Sequence, residues 1–169
     1  APITPTLVCW FTTRAELAEG PLGGKKDCVD CHMPATRRLL AGDFDQYPER
    51  DSPQHHWVGG GVPKDYAAYD GLLQRGYRPG LEARLLDWQA PAAGAKAVSL
   101  RLELTNAHAG HWLPTGDPER FLLATACLGD ESGCRPAARL RIGQKWRWVP
   151  KAEKMGDNRL VPTTPRIWA

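Results

Sequence analysis

The sequence lacks any apolar run as long as a transmembrane helix or as the hydrophobic stretch of a signal peptide. It also lacks a strong excess of one charge, because 22 lysines and arginines are offset by 19 aspartates and glutamates, scattered among one another. A nucleic-acid-binding protein usually carries a basic stripe. We therefore expect neither a transmembrane segment nor a nucleic-acid partner.

The 169 residues are enough for one domain, or for two small ones, with a buried core. Residues 1 to about 63 are rich in proline, glycine and charge, and contain one short helical signal, RAELAEG after a capping Thr13. Residues 64–79 contain a second helical signal, KDYAAYDGLLQR. From residue 80 onward the hydrophobic pattern alternates, which predicts strands. These strands are expected at 81–88, 97–106, 120–128, 138–142 and 145–149. The predicted fold class is mainly β, with a small irregular and α-helical region over 1–79 and an antiparallel, immunoglobulin-like β-sandwich over 80–169.

The segment DCVDCHMP contains the pattern Cys-x-x-Cys-His, formed by Cys28, Cys31 and His32. This pattern attaches haem c through two thioethers, and the adjacent histidine becomes the proximal iron ligand. A zinc site would need a fourth ligand at finger spacing, and none follows. A redox dithiol would not need the histidine, and GGKKD precedes the pair where a strand would be expected. The pattern therefore predicts one haem c, and residues 1–79 are interpreted as the segment that binds it.

The sixth iron ligand decides what such a haem can do, since a second strong ligand makes an electron carrier and an open position permits substrate or gas binding. SPQHHWVGGG offers two histidines in a glycine-rich loop, and His55 is the first choice as distal ligand, with His56 as an alternative. Trp57 could stack against a flat ring. The other candidates are His108, His111 and Met155, whereas Met33 lies too close to the proximal side.

A second histidine cluster occupies NAHAGHWLPTGDPER, residues 106–120. Its glycines and prolines indicate an ordered connection whose length is typical of a binding loop. His111 either hydrogen-bonds backbone in a structural loop or ligates a haem in this chain or a neighbouring one.

Three cysteines remain outside the predicted haem site. CLGDESGC resembles a hairpin tip that would place Cys127 opposite Cys134, a geometry that a disulfide can bridge. Such a disulfide would place the protein in an oxidising compartment. The alternative is two buried free thiols, and Cys9 is left without an explanation.

Together, these segments resemble the C-terminal part of the multihaem c-type cytochromes of bacteria and archaea. Members often carry C-x-x-C-H-M-P, then a motif like H-R-W-P-G-G-H, then a β-domain with N-x-x-A-G-H-x-L-P-T-G. The corresponding segments here are 28–34, 55–60 and 106–116, and the resemblance extends from Cys9 to Arg159.

The resemblance implies that His32 is the proximal ligand. It also implies that His55 or His111 is the distal ligand of this haem or a ligand of a neighbouring haem. His56 stands where the family commonly has arginine, and Gly61 replaces the second histidine of its motif. Cys9 stands where the family usually has another complete haem motif. These departures suggest a chain reduced to one haem.

The expected function is therefore electron transfer by one covalently bound haem c with two histidine ligands. We expect other c-type cytochrome subunits or redox proteins as partners, in a complex or a filament, because GDNRLVPTTPRIWA reads as an unfinished ending. The expected location is the periplasm or the extracellular space. One alternative is a five-coordinate haem enzyme or sensor for a small nitrogen or oxygen compound. Another is an assembly subunit in which KWRWVPK forms an interaction face, although such alternation more often marks one packed face of a strand.

Overall fold

A computed structural model describes residues 11–39, 48–53, 62, 67–74, 76–87, 92, 94, 98–128, 133 and 135–169. Over these residues the fold is mainly β, as predicted, with three small antiparallel sheets and three short helices. None of the helices described is both long enough and apolar enough to cross a bilayer.

The N-terminal part contains helices α1 (Thr13–Glu19), α2 (Cys28–His32) and α3 (Ala67–Gln74), and a two-stranded sheet of β1 (Ala35–Arg38) and β2 (Arg50–Pro53). Helix α1 begins one residue earlier than the sequence predicts, because the residue at its N-cap is Thr12 rather than Thr13. Helix α3 covers the central part of the second predicted helix.

Helix α2 is not expected from the sequence, because five residues are too few to show a helical period. A capping box at Asp27 starts it. The side chain of Asp27 accepts a hydrogen bond from the backbone nitrogen of Cys28 at 2.6 Å. The side chain of Asp30 accepts one from the backbone nitrogen of Asp27 at 2.7 Å.

The C-terminal part contains two three-stranded antiparallel sheets. The first has the order β3-β4-β8, with strands Leu81–Leu86, Arg101–Asn106 and Arg166–Trp168. The second has the order β5-β6-β7, with strands Phe121–Leu128, Arg135–Arg147 and Glu153–Asp157.

Strand β6 differs from the sequence-based expectation of two strands, at 138–142 and 145–149. The structure has a single strand of 13 residues there. Its first half pairs with β5 as far as Gly143, and its second half pairs with β7 from Gln144 onward. The change of partner, rather than a turn, explains the break in the hydrophobic pattern.

The two larger sheets share one hydrophobic core. Its most buried members are Leu104, Leu113, Ile142 and Leu160, none of which is more than 4% exposed. Partly buried side chains from both sheets pack against them: Leu81, Leu102 and Trp168 from the first sheet, and Leu122 and Leu140 from the second. A core shared by two facing sheets is the arrangement of a sandwich. The immunoglobulin-like strand order remains a prediction.

The predicted boundary near residue 80 coincides with the start of β3 at Leu81. However, α1 contacts the C-terminal part directly, since Arg159 Nη1 donates a hydrogen bond to Glu16 Oε1 at 2.6 Å. The division into two domains remains a prediction, and α1 belongs spatially with the β-sheets.

Candidate haem site

Helix α2 presents the two cysteines of the predicted haem attachment pattern. Cys28 and Cys31 are both exposed, and both are free thiols. Residues three apart lie on the same side of a helix, so their side chains face one region of space. No residue of α2 is buried. The helix therefore offers two exposed free thiols on one side of its surface.

His32, at the end of α2, lies opposite His111 from the distant loop between β4 and β5. The centres of the two imidazole rings are 6.3 Å apart, and the ring planes are within 8° of parallel. The structure thus brings together two of the sequence-predicted ligand candidates, from positions far apart in the chain.

A single metal ion bound by both imidazoles would fix the distance between their ring centres. A metal bond to an imidazole nitrogen, such as that of Zn²⁺, is about 2.0–2.1 Å long. The centre of a five-membered ring lies roughly 1.1 Å beyond the nitrogen when its bonds are about 1.33 Å. Two histidines on opposite sides of one iron would have ring centres about 6.2–6.4 Å apart. The observed distance of 6.3 Å lies in this range, and the two rings are stacked with nearly parallel planes.

The distance does not by itself distinguish axial ligands from an ordinary pair of rings, because offset-stacked aromatic rings have centroids about 4.5–7 Å apart. The hydrogen bonding of His111 adds a second observation. Its Nδ1 lies 3.1 Å from the backbone oxygen of Trp112. Only a protonated Nδ1 can donate to a carbonyl oxygen, and in the neutral ring this proton leaves the lone pair on Nε2. Metal-bound histidines usually carry this kind of hydrogen bond on the nitrogen that does not bind the metal.

The lowered pKa of His32 also favours the form of the ring that binds a metal ion. Its burial lowers the pKa of the imidazole below the usual value, and the nearby His111 lowers it further. Both effects favour the neutral ring, which is the form that binds a metal ion.

The loop that carries His111 is held by Asn106 at the end of β4. Asn106 is fully buried. Its side-chain nitrogen donates to the backbone oxygen of His111 at 2.7 Å and to that of Leu160 at 3.2 Å. Its side-chain oxygen accepts from the backbone nitrogen of Ala109 at 3.2 Å. One amide therefore fixes the turn that leads into His111 and ties it to the C-terminal segment.

Gly110, directly before His111, allows the loop to lie against the N-terminal part. A β-carbon added at Gly110 would come within 2.7 Å of Leu17 Cδ1 and 3.0 Å of Leu22 Cδ1. At Gly20, an added β-carbon would come within 2.6 Å of the backbone oxygen of Gly110. The two segments approach so closely that no side chain fits between them.

We expect Gly20→Ala to lower the free energy of unfolding by about 1–3 kcal/mol, because the added methyl group would lie 2.6 Å from the backbone oxygen of Gly110 and overpack this contact. Chemical denaturation followed by tryptophan fluorescence measures the change. Gly156→Ala is the matched control, since a β-carbon there would meet nothing within 4 Å. Equal loss in both variants would show that the contact at Gly110 is not tight in solution.

The other predicted site residues are not at this pair. His55, His56 and Trp57 lie outside the described residues, as do Cys9 and Cys134. His108 is on the surface, with Nε2 3.0 Å from Glu82 Oε1. Met33 ends α2, and Met155 is 51% exposed on β7. Cys127 lies on β5, and its disulfide with Cys134 remains a prediction.

Two residues near the site were missed from the sequence. Glu16 and Arg159 are 6% and 5% exposed, and they join α1 to the C-terminal part. The sequence does contain a signal for the first of them, because Thr13-Arg14-Ala15-Glu16 has the spacing of a capping box. No local pattern indicates the second.

Comparison with protein-family models, with curated proteins and with solved structures gives no match to this chain. Among the described residues, no group of three or more histidine, cysteine, aspartate or glutamate side chains is arranged to hold a metal ion. A haem iron differs from such a site, because the porphyrin occupies four positions and protein side chains supply at most the two axial ligands.

Proposed function

We propose that this protein transfers electrons through one covalently bound haem c whose iron is held by His32 and His111. When bound, the haem supplies a centre that gains and loses single electrons. The observation that carries the proposal is the parallel pair of imidazoles, with ring centres 6.3 Å apart, at the end of a helix that bears two exposed free cysteines.

The chain's own residues have distinct roles in this proposal. Cys28 and Cys31 would form the thioethers, and α2 would fix their positions relative to His32. Donation from His111 Nδ1 to the Trp112 carbonyl would orient the second imidazole and keep its Nε2 available. Asn106 would hold the backbone of the same loop.

The choice between His55 and His111 as distal ligand is made on geometry. His111 is the predicted candidate that lies opposite His32 among the described residues. His55 and His56 stay as candidates for contact with a neighbouring haem, as the resemblance implies. An iron with histidine on both sides has no open position, so this choice favours an electron carrier over an enzyme or sensor.

We further propose a periplasmic or extracellular location and other c-type cytochrome subunits or redox proteins as partners, in a complex or a filament. The predicted disulfide between Cys127 and Cys134 supports the location, since disulfides persist in oxidising compartments. The resemblance to multihaem cytochromes supports the partners.

The first test is spectroscopy of the chain produced together with a cytochrome c maturation system. We expect one haem per chain that resists extraction by acidified acetone. We also expect a low-spin ferric EPR signal, and a reduced visible spectrum that does not change with carbon monoxide. Absence of covalent haem would contradict the proposal. High-spin iron that binds the gas would favour the five-coordinate enzyme or sensor instead.

A further inference from the structure

A buried carboxylate from α1 is bonded to the residues that follow His111. Glu16 Oε2 accepts hydrogen bonds from the backbone nitrogen of Trp112 at 3.2 Å and from Thr115 Oγ1 at 2.9 Å. Thr13 Oγ1 lies 2.7 Å from Thr115 Oγ1 and adds a second link between the helix and the loop. Helix α1 thus contacts both the residue next to His111 and the residue four positions beyond it.

The other oxygen of this carboxylate is paired with a buried guanidinium. Arg159 Nη1 donates to Glu16 Oε1 at 2.6 Å, and both side chains are 6% exposed. Arg159 also donates from Nε and Nη2 to the two carboxylate oxygens of Asp157, at 3.0 and 2.9 Å. Its guanidinium carbon lies 4.8 Å from the centre of the Trp112 ring. Trp112 is therefore fixed through its backbone by Glu16 and through its ring by Arg159.

Contacts between Arg159 and its carboxylate partners favour the charged forms of Arg159 and Asp157. Burial lowers the pKa of Arg159, but hydrogen bonds to Asp157 and Glu16 outweigh this effect and raise it above the usual value. Burial likewise raises the pKa of Asp157, but hydrogen bonds from Arg159 outweigh this and lower it. Asp157 and Arg159 thus form a charged pair beside the loop, and Glu16 is hydrogen-bonded to the guanidinium of this pair.

Burial of charged groups is costly unless each is paired and hydrogen-bonded, and such clusters are weak evidence of a purely stabilising role. The hydrophobic core described above consists of other residues, from Leu81 to Trp168. What the Glu16–Arg159 pair touches is Trp112, the residue whose carbonyl oxygen accepts the hydrogen bond from His111 Nδ1. A continuous set of bonds therefore runs from α1 through Trp112 to the imidazole.

We propose that Glu16 is a positioning residue for the distal haem ligand. Its carboxylate, held by Arg159, clamps the loop so that His111 stays at ligand distance. This inference rests on the proposed function and extends it, because it assigns α1 the task of keeping the sixth position of the iron filled. Without the clamp, the loop would be free to withdraw His111 and the iron would become open to small ligands.

The test compares Glu16→Gln with the unaltered chain, both carrying haem. The amide keeps the size of the side chain, but it cannot accept hydrogen bonds at both of its terminal atoms, so either Arg159 or the loop loses its partner. Glu19→Gln is the matched control, since Glu19 is an exposed residue of the same helix. For each variant we would measure covalent haem per chain, the ferric EPR signal, carbon monoxide binding after reduction and the melting temperature.

We expect Glu16→Gln to retain covalent haem and to raise the fraction of iron that binds carbon monoxide about tenfold or more, because a charge-assisted hydrogen bond contributes at least that factor. The low-spin signal should fall in parallel, while Glu19→Gln should behave as the unaltered chain. A merely structural role would lower the melting temperature of Glu16→Gln and leave the spin state unchanged well below it. That result would overturn the inference.

Thr115→Val covers the case in which Glu16→Gln does not fold. It removes the hydrogen bonds of Thr115 to Glu16 and to Thr13 with little change in volume, and we expect a smaller increase in gas binding. No increase in this variant would also overturn the inference. The proposed function is judged separately, on the unaltered chain: if that chain lacks haem or is already high-spin, electron transfer through two histidines fails before any variant is compared.

Discussion

Replacing His111 with alanine should convert the iron from low spin to high spin without releasing the haem. The thioethers to Cys28 and Cys31 and the bond to His32 remain in this variant, so haem content should not change. The sixth position loses its imidazole, since His111 is the ring that faces His32. We therefore expect the low-spin EPR signal to be lost and carbon monoxide to bind to the reduced protein.

His108→Ala is the matched control for this experiment, because it removes a histidine from the same loop. His108 is exposed and interacts with Glu82 rather than with His32. We expect its spectra to match those of the unaltered chain. If His111→Ala stays low-spin and indifferent to the gas, another residue holds the sixth position, and His55→Ala would be the next variant to examine.

The mainly β fold could be predicted because β4 alternates polar and apolar residues, and β5 is a short apolar run of strand length. Leu104, for example, is buried in the shared core, whereas Arg101 is exposed. Strands β7 and β8 could not be predicted in this way. They have five and three residues, which is too few to show a period, and the burial pattern of β7 shows almost no alternation. Pairing with β6 and β4, rather than their own composition, makes them strands.

The residues that would attach the haem could be predicted because they are close together in the sequence. Two thioethers and the proximal ligand come from five consecutive residues, so the pattern is legible in the sequence. The distal half is not local. Its geometry depends on the buried amide of Asn106 and on the close contact at Gly110, which holds the loop against α1 and the residues that follow it. The sequence offers His111 as a candidate but favours His55, because two adjacent histidines beside Trp57 give the stronger local signal.

The contacts of Glu16 with distant residues also could not be predicted from the sequence. A threonine followed three residues later by glutamate usually indicates that the glutamate reaches back to the start of its own helix. Here the carboxylate accepts a hydrogen bond from Thr12 Oγ1 at the start of its helix, at 2.5 Å, and it also bonds to Trp112, Thr115 and Arg159, which are far along the chain. Only the packing of α1 against the loop shows these distant contacts, and the packing depends on Gly110.

The largest change in haem content should follow the double substitution of Cys28 and Cys31 by alanine. Without either sulfur, no thioether can form, and we expect the covalently bound haem to fall from one per chain to essentially none. Acidified acetone extraction followed by a pyridine haemochrome spectrum measures this content. The β-sheets should survive, because the core cluster among the described residues begins only at Leu81. Far-ultraviolet circular dichroism should therefore change little.

The control removes the same number of thiols elsewhere, by replacing Cys127 and Cys134 with alanine. We expect this variant to keep its haem and its low-spin spectrum while losing stability, since the predicted disulfide would be absent. Retention of covalent haem in the Cys28 and Cys31 variant would contradict the assignment of the attachment site.

The histidine and cysteine experiments together distinguish attachment of the haem from ligation of its iron. Loss of His111 should alter the spin state of a haem that stays bound. Loss of the two cysteines should remove the haem from a chain that stays folded, because the thiols lie on α2 and the core lies between the two sheets.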